Sequence, residues 1–274
     1  MGYPTNLKVV SRQLTPNTVI ASCAFSRVNK LNFGARMALF NYENKIVVWS
    51  AIPYCQETIK SLQLLTGSQD DFNITHLIIP DREHTMAAQS FKEAYPNLKV
   101  IAMESALVQG VTIDYLIKDS QGGKLLNKES LQEIGITDSV IVDNFEFVYL
   151  PHHNNKELVM FDKNSKILYE ADLLFNLGIE GTLDGSTTLE QYSPETGYEK
   201  GFKPHTGWSY MTRYMQPKSK VGNFLAKKVV NMAKSKQGLQ HIYDWEFHTI
   251  VMCHGNLIDK DAKQAFKSVF PSVN

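Results

Sequence analysis

The stretch that most constrains the fold of this chain spans residues 74–104, which follow the order strand, loop, helix, strand. Residues 74–79 form a short apolar run typical of a buried strand, and Pro80 ends it because proline has no N–H to donate. Residues 85–94 are predicted to form a helix and residues 98–102 a second strand. Such a βαβ unit implies a parallel strand pair, and α/β proteins hold their ligands at the carboxyl ends of such strands.

The loop after the first of these strands is rich in ionisable side chains, with Asp81, Arg82, Glu83 and His84 in succession. Carboxylates beside an imidazole are the side chains used for acid–base catalysis and for metal binding. A charged loop after a strand is also a common solvated connection, so this stretch alone leaves both interpretations open.

The composition narrows the class of protein. The 274 residues include 28 basic and 28 acidic side chains, and this balance argues against a general nucleic-acid binder. Cys23, Cys55 and Cys253 are far apart and form no CxxC pair, so neither a zinc knuckle nor a disulfide framework is indicated. Free cysteines fit a reducing compartment, and we expect a cytoplasmic location, with the nucleus as the alternative.

No segment indicates export or membrane insertion. The first residues lack an apolar stretch of signal-peptide length, and no run approaches the roughly 20 apolar residues of a membrane span. We therefore expect a small-molecule substrate, with neither nucleic acid nor a membrane as partner. The oligomeric state stays open.

The rest of the chain alternates strands with a few helices. Strands are predicted at residues 8–10, 18–25, 35–42, 45–49, 140–143, 145–150, 157–161, 166–170 and 247–252, and helices at 56–65, 223–234 and 259–270. Two strand-rich halves, each closing with helix, predict two sheets packed face to face with helices outside, in one domain spanning residues 1–274. Residues 178–220 lack periodicity and are predicted to be a lid-like insertion.

Polar residues recur at other strand ends. His152 and His153 follow the strand at 145–150, Asp172 follows the hairpin at 157–170, and His254 follows the strand at 247–252. A single histidine in such a place usually serves as an ordinary hydrogen-bonding residue. Together with His84, these residues give four polar positions at strand ends, and ordinary hydrogen bonding explains four such positions less easily than one.

These segments resemble the metallo-β-lactamase superfamily, in a branch without an intact HxHxDH motif. The motif aligns with residues 79–84, IPDREH, so that its aspartate falls on Glu83 and its last histidine on His84. LYEADLLFN places the bridging aspartate at Asp172, and VMCHG places the closing histidine at His254. The isolated histidine of the superfamily matches His153, or His152 if the register slips by one. The resemblance implies an α+β fold, a four-layer αββα sandwich.

The resemblance also implies a metal site. Ile79 and Asp81 stand where two metal-binding histidines are expected, so one of the two sites of the superfamily is lost or altered. The implied ligands of this chain are Glu83, His84, His153, Asp172 and His254. Carboxylates with imidazoles suit Zn²⁺, Fe²⁺ or Mn²⁺, and Zn²⁺ is the first expectation. A degenerate site without metal is the alternative.

The first functional hypothesis is a mononuclear metal-dependent hydrolase of an ester, thioester or lactone, with Asp81 or Glu83 as the catalytic base. The second is a catalytically inactive binding scaffold. The third is an iron oxidoreductase, which lacks support because the chain offers no flavin or rubredoxin partner domain. Six aromatic residues between 187 and 214 either form a wall of the substrate pocket or only pack the insertion.

Overall fold

The fold is taken from a computed structural model, which describes residues 2–178 and 190–274. The strands are β1 (Val9–Thr15), β2 (Thr18–Cys23), β3 (Ser26–Arg27), β4 (Leu31–Asn32), β5 (Ala35–Tyr42), β6 (Lys45–Trp49), β7 (Ile74–Ile78), β8 (Lys99–Met103), β9 (Tyr115–Ile117), β10 (Leu125–Leu126), β11 (Phe145–Leu150), β12 (Glu157–Asp162), β13 (Ile167–Glu170) and β14 (Thr249–Met252). The α-helices are α1 (Gln56–Thr66), α2 (Ala88–Ala94), α3 (Lys128–Glu133), α4 (Ser139–Val142), α5 (Lys220–Val229), α6 (Met232–Asp244) and α7 (Ala262–Val269). Short 3₁₀ helices span Asp119–Gln121, Glu190–Tyr192, Pro194–Thr196 and Gly207–Tyr214. None of the described helices is long and apolar enough to cross a bilayer.

The strands form two main sheets. The first has the order β1-β2-β5-β6-β7-β8-β9, antiparallel from β1 to β6 and parallel from β6 to β9. The second has the order β10-β11-β12-β13-β14, and its β13–β14 pair is parallel. The parallel pairing of β7 with β8 across α2 confirms the predicted βαβ unit.

The two sheets pack face to face through aromatic side chains. Phe40 of the first sheet meets Phe145 and Tyr169 of the second edge to face, with ring centroids 5.1 and 5.0 Å apart. Trp49 meets Tyr169 at 5.6 Å. These rings are fully buried, so the main core lies between the sheets.

Helices cover both outer faces. On the first sheet, α1 packs against β1, β2 and β5. On the second, outward residues such as Val148 and Leu168 share a second apolar cluster with Leu239 of α6 and Phe266 of α7. The layers therefore run helix, sheet, sheet, helix, which confirms the expected αββα class.

Two local predictions were wrong. Residues 140–143, predicted as a strand from their β-branched side chains, belong to the short helix α4, where Asp143 N donates to Ser139 O. The side chains of α4 are buried against neighbouring elements, and tertiary packing outweighs the β-propensity. Residues 223–234, predicted as one helix, are divided between α5 and α6, because the backbone of Val230 leaves the helix to bridge His153.

Arg36 is a charged residue in the core between the sheets, with 1% of its surface exposed. Its Nε donates to Ser22 Oγ at 3.1 Å and its Nη1 to Met252 O at 2.7 Å. Met252 is the last residue of β14, so this buried guanidinium fixes the strand end from which His254 follows.

Candidate metal centre

Four loops meet at one cavity of about 350 Å³. They follow β7, β11, β13 and β14, the strands after which the sequence places its polar residues. The lining residues are Tyr3, Phe25, Arg27, Phe33, Ala35, Glu83, His84, Met86, Asn154, Asn155, Asp172, Phe175, Met215, Val229 and His254. The cavity is thus apolar on most sides, with the polar loop residues gathered in one place.

His84 is held by the carboxylate of Asp81. Asp81 Oδ1 accepts hydrogen bonds from the backbone N–H of Glu83 at 2.7 Å and of His84 at 2.9 Å, and from His84 Nδ1 at 2.8 Å. Burial alone would lower the pKa of His84, but the negative charge of Asp81 raises it well above its usual value. With Nδ1 bonded to Asp81, Nε2 is the nitrogen that faces His254 Nε2, at 3.1 Å, and the raised pKa keeps a proton on it that a metal ion would have to displace.

The His254 ring is also fixed through its Nδ1, here by a backbone carbonyl oxygen instead of a carboxylate. Its Nδ1 donates to the carbonyl oxygen of Gly34 at 2.7 Å, so Nε2 is the unprotonated nitrogen of the neutral ring. The ring packs against both Phe33 and Phe175, with centroids 5.5 and 6.0 Å away. Burial lowers the pKa of His254 to about 4, which keeps it neutral and able to bind a metal at neutral pH.

The turn after His254 requires a glycine. Gly255 has φ +97, and a Cβ there would lie 2.4 Å from Asn176 O. This close approach pairs Gly255 with Asn176 in a parallel bridge and joins the β14 loop to the loop that carries Asp172.

Asp172 is positioned from both sides of its carboxylate. Its Oδ2 accepts a hydrogen bond from Asn155 Nδ2 at 2.5 Å, and its Oδ1 lies 3.3 Å from His254 Nε2. Asn155 was not singled out in the sequence, since an amide in a loop has many ordinary uses. In the fold, its hydrogen bond to Oδ2 leaves Oδ1 of Asp172 facing the histidines.

Two further carboxylates, also missed in the sequence, anchor the backbone around Asp172. Glu157 Oε1 accepts from Ala171 N at 2.5 Å and its Oε2 from Asp172 N at 3.2 Å. Glu170 Oε2 accepts from the backbone N–H groups of Leu173 and Leu174. Burial raises the pKa of both glutamates well above the usual value. Each stands at the end of a strand beside Asp172, and that position is the one signal the sequence offers.

The three side chains converge in a geometry that suits a metal ion. His84 Nε2 and His254 Nε2 lie 3.1 Å apart, and the ligand atoms of His84, Asp172 and His254 are all within 4.8 Å of one another. Tetrahedral zinc with bonds of 2.0–2.1 Å places its ligand atoms about 3.3 Å apart. Three protein ligands beside an open cavity are the arrangement of catalytic zinc sites.

Two residues of the implied ligand set lie outside this cluster. Glu83 turns toward solvent at the cavity wall, with its carboxylate 3.6 Å from Arg27 and 3.9 Å from Arg82, and 38% of its side chain is exposed. His153 is fully buried beside Glu157, at 3.9 Å, and does not line the cavity. Its Nδ1 accepts from the N–H of Asn155, and burial lowers its pKa.

The other residues of the motif alignment also have definite places. Ile79 is fully buried in the core between the sheets. Asp81 is fully buried too and does not line the cavity. His152 is exposed, so His153 is the member of the pair that faces inward.

Of the two alternatives for the aromatic residues between 187 and 214, a wall of the substrate pocket is not what the described part of that segment forms. Tyr192, Tyr198 and Phe202 pack on one another, with centroids 4.4 to 5.9 Å apart. The cavity takes its aromatic side chains from other parts of the chain, and Met215 alone lines it from residues 190–220. Residues 179–189 of the predicted lid lie outside the described residues.

Comparison with known proteins identifies the fold. No protein-family model matches the sequence, and no curated protein sequence matches it. Among solved structures, DIM-1 metallo-β-lactamase matches 98% of both chains, with a TM-score of 0.57 and 13% identity. FIM-1 metallo-β-lactamase from Pseudomonas aeruginosa, in its mono-zinc form, matches 98% of this chain and 96% of its own, with a TM-score of 0.57 and 10% identity. The Flv1 flavodiiron core from Synechocystis has a TM-score of 0.59 and 13% identity, over 97% of this chain and 61% of that one.

Proposed function

We propose that this chain, which has the metallo-β-lactamase fold, is a mononuclear metal-dependent hydrolase of an ester, thioester or lactone. The observation that carries the proposal is the convergence of His84 Nε2, Asp172 Oδ1 and His254 Nε2 at the wall of an apolar cavity. When bound there, a divalent cation, with Zn²⁺ as first choice and Fe²⁺ or Mn²⁺ as alternatives, supplies a Lewis acid that polarises a carbonyl and lowers the pKa of water toward ~7.

The protein's own part is to hold these ligands rigidly. Asp81 fixes the ring of His84, and the carbonyl of Gly34 fixes that of His254. Asn155 holds one oxygen of Asp172 and leaves the other free. Ligands fixed in this way lose little conformational entropy when a metal binds. They also keep the same orientation from one turnover to the next.

Of the two candidate bases, Glu83 is the one that we assign to proton transfer. Glu83 lines the cavity and is partly exposed, so its carboxylate has access to a water or substrate there. Asp81 is buried, and its Oδ1 already accepts three hydrogen bonds from Glu83 and His84. Asp81 is therefore a positioning residue that acts through His84.

The cavity walls favour an uncharged substrate with an apolar acyl or aryl group. Tyr3, Phe25, Phe33 and Phe175 supply aromatic surface around the ligand cluster. Arg27 is the one Lys or Arg side chain among the described lining residues, and Glu83 is 3.6 Å from it. A substrate carboxylate or phosphate would have to compete with Glu83 for that cation.

The proposal is tested by hydrolysis assays on protein stripped with chelator and reloaded with Zn²⁺, Mn²⁺ or Fe²⁺. The panel comprises an aryl ester, an acyl thioester and a lactone, each with an apolar acyl chain. We expect at least one class to be hydrolysed by the reloaded protein and none by the stripped protein. Failure of the fully loaded protein on every class would favour the inactive scaffold instead.

A further inference from the structure

Helix α5 presents an apolar stripe to solvent. Val221, Phe224 and Leu225 are 41%, 59% and 37% exposed, and their i, i+3, i+4 spacing places them on one face. The opposite face is the one that packs on the protein, because a Cβ on Gly222 would lie 2.3 Å from Tyr214 O. Asn223 also ties α5 to α7 through Ser268 O at 3.0 Å. The stripe is thus left uncovered in this structure.

Positive charge surrounds the stripe. Lys220, Lys227 and Lys228 belong to α5 itself, and Lys228 Nζ lies 5.3 Å from the centroid of Phe224. Residues 199–236 contain nine basic residues and one acidic residue, in a chain with a formal net charge of zero. An apolar stripe rimmed by lysines is the pattern of helices that lie in the interface of an anionic membrane.

The preceding 3₁₀ helix, Gly207–Tyr214, has the same character. Trp208, Tyr210 and Met211 are 74%, 48% and 54% exposed. Lys30 lies over the ring of Trp208 and Arg213 over that of Tyr210, each at 4.9 Å. Exposed aromatic rings paired with cations suit the boundary between lipid headgroups and acyl chains.

We propose that α5, together with Gly207–Tyr214, is a docking surface for an anionic lipid bilayer, in contrast to the sequence-based expectation of no membrane partner. A second copy of the chain is the poorer occupant, because a symmetric contact through α5 would bring Lys220, Lys227 and Lys228 of both copies together. The phosphates of a nucleic acid would complement the positive charge of the lysines. A nucleic acid offers no apolar phase, however, for the aliphatic side chains of Val221 and Leu225.

The docking surface lies beside the main cavity. Leu225 lines a small cavity of about 30 Å³ that shares Phe175, Met215 and Val229 with the main cavity. Docking through α5 would bring this apolar side of the cavity to the membrane. Resting on the proposed hydrolase function, this arrangement favours acyl esters or thioesters that partition into lipid as substrates.

Sedimentation with vesicles tests the docking independently of catalysis. Metal-free and metal-loaded protein are mixed with vesicles of phosphatidylcholine, with or without phosphatidylglycerol, at low and high salt. We expect binding to the anionic vesicles only, weakened by salt, and lowered at least about tenfold in the double variant Phe224→Ser/Leu225→Ser. Lys227→Glu/Lys228→Glu should lower it by about tenfold or more as well.

Leu107→Ser is the matched control, since Leu107 is 87% exposed and distant in sequence from α5. It should bind vesicles as the wild type does, and thermal melts should show that both double variants remain folded. Equal binding by the wild type and the Phe224→Ser/Leu225→Ser variant would overturn the proposal. Two other results would overturn it if the wild type does not sediment with the vesicles. One is a dimer that the Phe224→Ser/Leu225→Ser variant dissociates, and the other is binding of the protein to DNA. Sedimentation without any hydrolysis would count against the enzyme function alone.

Discussion

His84→Ala and His254→Ala are each expected to remove the bound metal and to reduce hydrolysis at least about a thousandfold, because loss of metal forfeits several kcal/mol of transition-state stabilisation. Each substitution takes away one of the three converging ligand atoms. The remaining two would have to hold the cation beside an open cavity. Metal analysis after dialysis and the initial rate on the best substrate of the panel measure the two effects.

The same variants should lose the thermal stabilisation that metal gives the wild type. A metal that binds the folded state alone raises its melting temperature, so chelator should lower the melting temperature of the wild type and leave both variants unchanged. His152→Ala is the matched control, since His152 is exposed and lies next to the buried His153. Retention of metal and activity by both cluster variants, or their loss in the control, would contradict the assignment.

Asp81→Ala is expected to lower metal affinity by about 100-fold and Asp81→Asn by about tenfold, in the range found for groups that orient metal-binding histidines. Asp81 Oδ1 orients the His84 ring and also caps two backbone N–H groups. Alanine removes the charge and all three hydrogen bonds, whereas asparagine keeps an oxygen that accepts them and removes only the charge. Titration of the stripped proteins with Zn²⁺ in competition with a chromophoric chelator gives the affinities.

Glu83→Gln separates positioning from proton transfer. Glu83 lies outside the ligand cluster, so this variant should bind Zn²⁺ within about twofold of the wild type while kcat falls by about 100-fold or more. Loss of metal in Glu83→Gln would instead make Glu83 a ligand, as the superfamily resemblance implies. Equal affinities for Asp81→Ala and the wild type would show that His84 needs no carboxylate to orient it.

Much of the fold could be predicted because strands and strand ends leave a local signal. The apolar run at β7, ended by Pro80, and the later strand at β8 define the βαβ unit without any information about distant contacts. The same logic places His84, Asp172 and His254 at strand ends, and the fold brings those ends to one cavity. A residue predicted to lie at a strand end remains close to that end even when the predicted boundary of the strand is slightly wrong.

The roles of the flanking residues could not be predicted, because they depend on the direction of single side chains. Asp81 and Glu83 are two residues apart, yet one is buried under His84 and the other faces solvent. Motif alignment equated Glu83 with a ligand because it compares positions and residue types, not rotamers. Asn155 and Glu157 act through contacts with Asp172 and its backbone, 17 and 15 residues away in sequence, and no local pattern encodes such pairs.

Tertiary packing also determined the structure of two regions in which the sequence pattern predicts a different element from the one observed. The β-branched run of α4 has the composition of a strand but is held as a helical turn by its buried environment. The pattern of residues 223–234, which span the end of α5 and the start of α6, predicts one helix. In the fold, α5 turns Val221, Phe224 and Leu225 outward, so the pattern marks an exposed face.

The metal content of the purified protein tests whether His84, Asp172 and His254 bind a metal ion. Protein prepared without added metal is dialysed against Zn²⁺, freed of excess ion, and analysed by mass spectrometry of the elements. The geometry of His84, Asp172 and His254 predicts about one equivalent per chain in the wild type and about none in His254→Ala. Less than about one-tenth of an equivalent of any transition metal in the wild type would show that these three residues do not form a metal site.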